Sequence, residues 1–344
     1  MHRRFVHLLN SLAPKAEAPA MPVAGPRVAG AACLVLAMAA SMALPANAHA
    51  GKYDLDLTPL GSLETQGGGT RIVQDNAAFR SLSSELGTIM APKVVDPADS
   101  LGLSGFAISA DVSINTLSSN QNYWQATSGA DTAAPSMQIM GRKGLWPGVE
   151  VGGGATHLFD SRMWALGGYG KIAFHEGFHH LPIPSIAIRG SFSRLLGAKD
   201  FNMTTAAPAV TVSHLFGLGK TFSLTPYVGY EALIIFSRSQ VLNANPSCDE
   251  FPDAYNEDPD ACDFPDGMGG TVNKPPSEFV FADGGAIVRH RPHFGARIIF
   301  SVIRIGLEAM FVPGGKSEGT VDGETVVDGS GLQQQYTVSV GLDF

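Results

Sequence analysis

The last nine residues, Tyr336 to Phe344, alternate without a slip. Tyr336, Val338, Val340, Leu342 and Phe344 fall on one face of an extended chain, and Thr337, Ser339, Gly341 and Asp343 on the other. A period of two is the signature of a strand with unlike surroundings on its two sides. The pattern recurs along the chain. In 104–115, Phe106, Ile108, Ala110, Val112 and Ile114 oppose Ala107, Ser109, Asp111, Ser113 and Asn115. In 221–237, Phe222, Leu224, Val228, Tyr230, Ala232, Ile234 and Phe236 oppose Ser223, Thr225, Gly229 and Glu231. Segments 294–302 and 303–312 repeat it, and weaker versions lie near 135–143, 148–159, 162–175, 184–195 and 206–216.

One face of these segments is apolar. The other carries Asp111, Arg142, Glu150, Lys171, Arg189, Glu231, Arg297, Arg304 and Glu308. A two-sheet sandwich also alternates, but it turns its polar face to water. The connections discriminate. Taken in order, the gaps are 117–134, 144–147, 160–161, 176–183, 196–205, 217–220, 238–285, a tight turn near Val302, and 314–331. Four of the five gaps on one side are long or medium and three of the four on the other are tight, with the short gap at Asp160 and Ser161 the exception; this is the asymmetry of a barrel in a membrane. The sequence therefore predicts an all-β fold: an antiparallel transmembrane β-barrel of about ten strands, within a range of eight to twelve.

The two ends of the chain differ from this body. Residues 31–44 form a short apolar run preceded by Arg3, Arg4, Lys15 and Arg27 and followed by Ala48 and Ala50 in A-x-A spacing. That order predicts a secretory signal peptide over 1–50, cleaved after Ala50, with Met21 as an alternative start. Removing residues 1–50 takes four of the 23 basic and one of the 31 acidic residues, leaving 19 against 30, a net charge of −11. Such a chain is a poor partner for nucleic acid. Residues 51–100 do not alternate. "DNAAFRSLSSELGTIMAP" reads as a helix, capped by Asp75 or Asn76 and stopped by Pro92, with Phe79, Leu82, Leu86 and Ile89 or Met90 at helical spacing. The expected organisation is a signal peptide (1–50), a periplasmic or plug segment (51–100) and a barrel (101–344).

The terminal segment resembles the last-strand signal of bacterial outer-membrane β-barrel proteins, which ends on an aromatic residue. The resemblance implies that Tyr336, Val338, Val340, Leu342 and Phe344 are read by the barrel assembly machinery. It also implies a location in the outer membrane of a Gram-negative bacterium, among its lipid and lipopolysaccharide. A plug followed by a barrel is similar in order to the fatty-acid channel family, which has more strands.

The nine inward charges nearly balance. They fit a salt-bridged filling, or the lining of a thin polar conduit. The expected function is a narrow channel or transport barrel for small or amphipathic solutes. The alternative is a non-conducting structural or adhesive barrel acting through acidic outer loops, and a rim-located hydrolase stands third. His157 near Asp160, and His290 and His293, are the rim candidates for catalysis, without a recognisable surrounding motif. His175, Glu176, His179 and His180 form a turn cluster. No enzyme activity and no cofactor are expected. In 238–285, Cys248 and Cys262 are the only cysteines beyond the signal, and an exported compartment predicts a disulfide between them. Around them Asp249, Asp253, Glu257 and Asp260 supply oxygen ligands suited to a hard divalent cation. The calcium-loop spacing is absent, so a solvated acidic loop is expected there.

Deleting Phe344 should leave export intact and sharply reduce heat-modifiable barrel in outer-membrane fractions. Normal barrel yield would contradict the assignment of 336–344 as an assembly signal.

Overall fold

The computed structural model describes residues 51–66, 69–175, 183–218, 222–243, 263–265, 271–273, 278–282 and 284–344. Ten long strands follow one helix. The helix, α1, spans Asn76–Met90. The strands are β1 (Phe106–Thr116), β2 (Ala133–Trp146), β3 (Val149–Leu158), β4 (Trp164–His175), β5 (Ser185–Leu196), β6 (Phe201–Ser213), β7 (Phe222–Ser239), β8 (Ile287–Phe300), β9 (Ile303–Val312) and β10 (Gln333–Asp343). Each pairs antiparallel with the next. The last strand then pairs with the first, Tyr336 opposite Ile114 and Val340 opposite Ala110, so the sheet closes into a barrel. Closure removes the unpaired edges that an open sheet would present.

Alternation sets the two faces. Along β5 the exposure switches at every residue, with Ile186, Ile188, Phe192 and Leu196 outside and Ala187, Arg189, Ser191 and Ser193 inside. The outer wall is apolar throughout its middle. Phe106, Trp146, Phe174, Phe216, Phe222, Phe300 and Phe344 ring one end, and Trp164 and Tyr336 stand near the other. Tyr336 to Phe344 on a tilted strand rises about 20 Å, close to the ~25 Å band of membrane barrels. Tyr336, Val338, Val340 and Phe344 are exposed on this wall, and Leu342 on the same face is covered by its neighbours.

The connections divide into two sets. The loop end carries 117–132, 159–163, 197–200, 240–286 and 313–332, and the turn end carries 147–148, 176–184, 214–221 and 301–302. Two strands begin earlier than alternation alone indicates. The connection expected over 196–205 contracts to 197–200, because β6 begins at Phe201. The alternation read over 294–302 belongs to a strand that begins at Ile287, next to the end of the gap read over 238–285; Arg289, Arg291 and Pro292 hide the apolar rhythm in between. Pro292 lacks an N–H for the ladder; it lies opposite Tyr230 of β7, and β8 pairs with β9 only from His293 onward.

Two glycines make room for tyrosines that cross the inner wall. A Cβ on Gly295 would lie 2.5 Å from the Tyr227 ring, and one on Gly152 would lie 2.3 Å from the Tyr169 ring. Each tyrosine covers the glycine beside it and ends on a carboxylate. The Tyr227 hydroxyl donates to Glu308 at 2.9 Å, and the Tyr169 hydroxyl to Glu150 at 2.5 Å. This is aromatic cover of a sheet glycine. Gly295→Val should displace Tyr227 and cost about 1–3 kcal/mol, the usual range for overpacking. Gly170→Val, where a Cβ meets nothing within 4 Å, is the control. Thermal unfolding in detergent should shift for the first variant and not for the second.

Candidate functional site

The interior of the barrel is occupied by the chain's own N-terminal segment, which descends from the loop end to the turn end. At the top, the Tyr53 N–H donates to the Asp160 carbonyl, the Tyr53 hydroxyl to the Ala133 carbonyl, and the Asp56 N–H to the Ala126 carbonyl. Arg162 grips Asp54 at 2.8 Å. A hairpin of Gly61–Gln66 with Gly69–Gln74 follows, and then α1. Asp75 caps the helix by accepting from the Ala78 N–H at 2.8 Å.

Helix α1 sits in the loop-end mouth, and residues 78–90 are buried on every side. Its apolar face, Phe79, Leu82, Leu86, Ile89 and Met90, packs on inward-pointing Leu195, Phe201, Met203, Leu233 and Ile235 in one cluster. A Cβ on Gly87 would lie 2.6 Å from Ile235, so the helix approaches the wall closely. The polar face is buried too, and its charged groups are each met by several partners. The Arg80 guanidinium donates to the carbonyls of Gly284, Gly285, Ala286, Ser317 and Glu318. Burial pushes that guanidinium below its ordinary pKa, with the Asp328 charge opposing. Glu85 accepts from the Ser118 N–H, the Tyr123 hydroxyl, the Trp124 indole and the Gly331 N–H. Burial first, and then the Glu85 charge, drives the Tyr123 phenol well up, so it remains a donor. Ser84 donates to Asp328 at 2.6 Å and accepts from Arg289. The helix is thus tied to three loops by groups that accept or donate at several points each.

Below the helix, residues 91–100 form a strap through the lumen. A strap surrounded by protein must satisfy its backbone without water. The barrel side chains do this almost residue by residue. Gln138 donates to the Lys93 carbonyl and accepts from the Lys93 N–H, at 2.7 and 3.0 Å. Arg189 donates to the Val94 carbonyl and Arg304 to the Val95 carbonyl. Lys171 donates to the carbonyls of Pro97 and Asp99, and Ser213 accepts from the Ala98 N–H. Pro92 and Pro97 have no N–H to satisfy. At the bottom, the Leu101 N–H reaches Glu150 and the Ser100 hydroxyl accepts from Gly148 in the β2–β3 turn. The chain then enters β1.

Asp96 is the hub. Lys171 lies 2.5 Å from its carboxylate, Arg304 2.7 Å, Arg297 3.1 Å and Arg142 3.7 Å. All five are buried. Arg297 also pairs with Asp99, and Lys171 with Glu150 at 3.3 Å. A second cluster sits beside it, where Glu231 pairs with Arg189 at 3.2 Å and Arg291 at 3.1 Å.

The nine charges read as inward, Asp111, Arg142, Glu150, Lys171, Arg189, Glu231, Arg297, Arg304 and Glu308, are all buried inside the barrel. Arg142, Lys171, Arg297 and Arg304 converge on Asp96, and Arg189 and Glu231 on each other. Asp111 accepts from Gln138 at 3.3 Å. Asp96, Asp99, Glu85, Arg80, Arg289 and Arg291 complete these networks and went unread in the sequence. Helical spacing at 79–90 was visible, but no periodicity marks 91–100.

The histidines do not converge. His157 stacks on Trp164 at 4.3 Å, its Nδ1 is bonded to the Met163 carbonyl, and Asp160 holds Tyr53 by its backbone. His290 faces outward against Tyr230, and His293 faces inward and is buried. Glu176, His179 and His180 lie outside the described residues, as do Cys248, Cys262, Asp249, Asp253, Glu257 and Asp260. Among the described residues no group of three or more His, Cys, Asp or Glu is placed to hold a metal ion. No helix there is long and apolar enough to cross a membrane.

An apolar outer wall, aromatic ends, a polar interior and a closed ladder of ten antiparallel strands leave one architecture. The chain has the fold of a transmembrane β-barrel. No family model matches it, and no curated protein does. The solved structures it matches include bacterial outer-membrane proteins, all at low TM-scores. The attachment invasion locus protein Ail of Yersinia pestis is 10% identical over 70% of this chain and 99% of that one, with a TM-score of 0.23. Neisserial surface protein A is 10% identical over 69% and 95%, with a TM-score of 0.28. The outer-membrane protease OmpT of Escherichia coli is 7% identical over 70% and 96%, with a TM-score of 0.31.

Asp96→Asn removes one charge and leaves four buried cations short of a partner. Breaking a buried ion pair on one side costs about 3–5 kcal/mol. Denaturant midpoints in detergent should fall accordingly, while Asp56→Asn, at an exposed position, should leave them unchanged.

Proposed function

We propose that this protein is a sealed outer-membrane barrel, non-conducting at rest, that works through the surface carried on its loop end. The observation that carries the reading is the strap: its backbone groups are taken up by luminal side chains, and the charges around Asp96 are buried. A conduit for solutes would leave such charges wetted along a continuous path. The long connections belong outside the cell and the short ones in the periplasm, as in other membrane barrels. On this reading the signal peptide is cleaved after Ala50, the assembly machinery reads the terminal strand, and the outer wall meets lipid and lipopolysaccharide. The working surface consists of the hairpin 61–74, the hairpin Glu318–Val321 with Glu324–Val327, and the acidic connection between β7 and β8. The structural or adhesive role therefore displaces the narrow channel as the favoured reading.

Planar-bilayer recordings of the refolded full-length protein test this. The wild type should show no steady ion conductance at either polarity, and the double variant Asp96→Asn, Asp99→Asn should show intermittent openings as the strap loosens. Steady conductance by the wild type would overturn the reading in favour of a channel.

A further inference from the structure

We propose that the barrel carries its own N-terminal segment across the membrane and displays residues 51–75 on the cell surface. The inference rests on the outer-membrane reading above and goes beyond it. A segment ahead of the first strand is expected on the side where that strand begins. Here it is on the opposite side. β1 starts at Phe106 at the turn end, where its N–H bonds the Phe344 carbonyl. At Tyr53, Asp54 and Asp56, 53 to 50 residues earlier, the chain is at the loop end, bonded to the β1–β2 and β3–β4 connections. The contacts in between descend in order. Arg80 and Glu85 hold the loops, Lys93 meets Gln138 inside the wall, Asp96 meets Arg304 and Arg142 lower down, and Ser100 meets the β2–β3 turn. Ten extended residues span about 33 Å, enough to cross a band of ~25 Å.

The route can only be the lumen. Lys52, Asp54 and Asp56 could not pass through hydrocarbon at acceptable cost. The lumen in the finished barrel is closed to such traffic, because the wall side chains around the strap are buried against it. Helix α1, now packed on Leu233 and Ile235 in the mouth, could not be drawn up between the wall cations Arg142, Lys171, Arg297 and Arg304 either. The segment must therefore be in place before β10 closes on β1, and the barrel zips shut around it. The strap is then both the trace of the crossing and the seal left behind.

Single cysteines in the full-length protein test this, in a Cys33→Ser, Cys248→Ser, Cys262→Ser background. Asp56→Cys and Ser62→Cys report the N-terminal segment, Thr325→Cys the β9–β10 connection and Leu103→Cys the turn end, all exposed positions. Intact cells are treated with a membrane-impermeant maleimide, with and without prior permeabilisation. Positions 56 or 62 should label on intact cells to the same extent as 325, and 103 only after permeabilisation. Labelling of 325 but of neither 56 nor 62 on intact cells would overturn the proposal and leave the barrel reading standing. Labelling of 103 but not 325 on intact cells would overturn both.

Discussion

Asp96 gathers one cation from each of four strands: Arg142 of β2, Lys171 of β4, Arg297 of β8 and Arg304 of β9. These strands belong to opposite parts of the ring in sequence, so a single carboxylate ties together elements that pair only with their immediate neighbours. Without it, four cations would face one another in a narrow, dry lumen. Each carries a desolvation cost of several kcal/mol, recovered only where geometry and hydrogen bonding are good. Neighbouring Asp99 and Glu150 supply the remaining negative charge, and strap carbonyls take up donors that the carboxylates leave over. Strap and wall are therefore incomplete without each other. A ten-strand ring is too wide for its own side chains to fill and too narrow to hold a domain, and an extended segment fits between.

The interior changes character with height. Near the turn end it is ionic, and near the loop end it is apolar, with Phe201, Met203, Leu233 and Ile235 against α1. This suits the two shapes the segment takes. A helix satisfies its own backbone and can be met by hydrocarbon, whereas an extended strap exposes carbonyls and must be met by donors. Where α1 presents the charges of Arg80 and Glu85, the loops answer with several partners for each: five carbonyls for Arg80 and four donors for Glu85. The loops are thereby anchored to a rigid post at the mouth, and the surface they form is held by the same segment that closes the lumen.

Period-two alternation was enough to place Asp111, Arg142 and Glu308 inside and Val338 and Tyr336 outside, because every strand of a membrane barrel separates two unlike solvents. The helix was legible from Phe79, Leu82 and Leu86 and from its Asp75 cap. Four things were not legible, each for a physical reason. Asp96 lies in a segment with no repeat, between two prolines, and its partners are fixed only once the ring has closed. Leu233 and Ile235 share the parity of Glu231, so a single strand gives no sign that the lumen turns apolar above it. Arg289 and Arg291 broke the apolar rhythm that marks a strand start, although they face inward for the same reason as Arg297. The path of 51–75 to the loop end depends on contacts between residues more than 70 apart, such as Tyr53 with Ala133, and no local pattern encodes it.

The account turns on the strap being part of the folded barrel rather than a loosely held tail. Amide hydrogen exchange of the refolded protein in detergent tests this most directly at Lys93, Ala98 and Leu101, whose N–H groups are held by Gln138, Ser213 and Glu150. Buried amides held this way open only with the structure around them. The account predicts exchange at these three positions as slow as in the strands that flank them. Exchange as fast as in the exposed hairpin near Glu324 would contradict it.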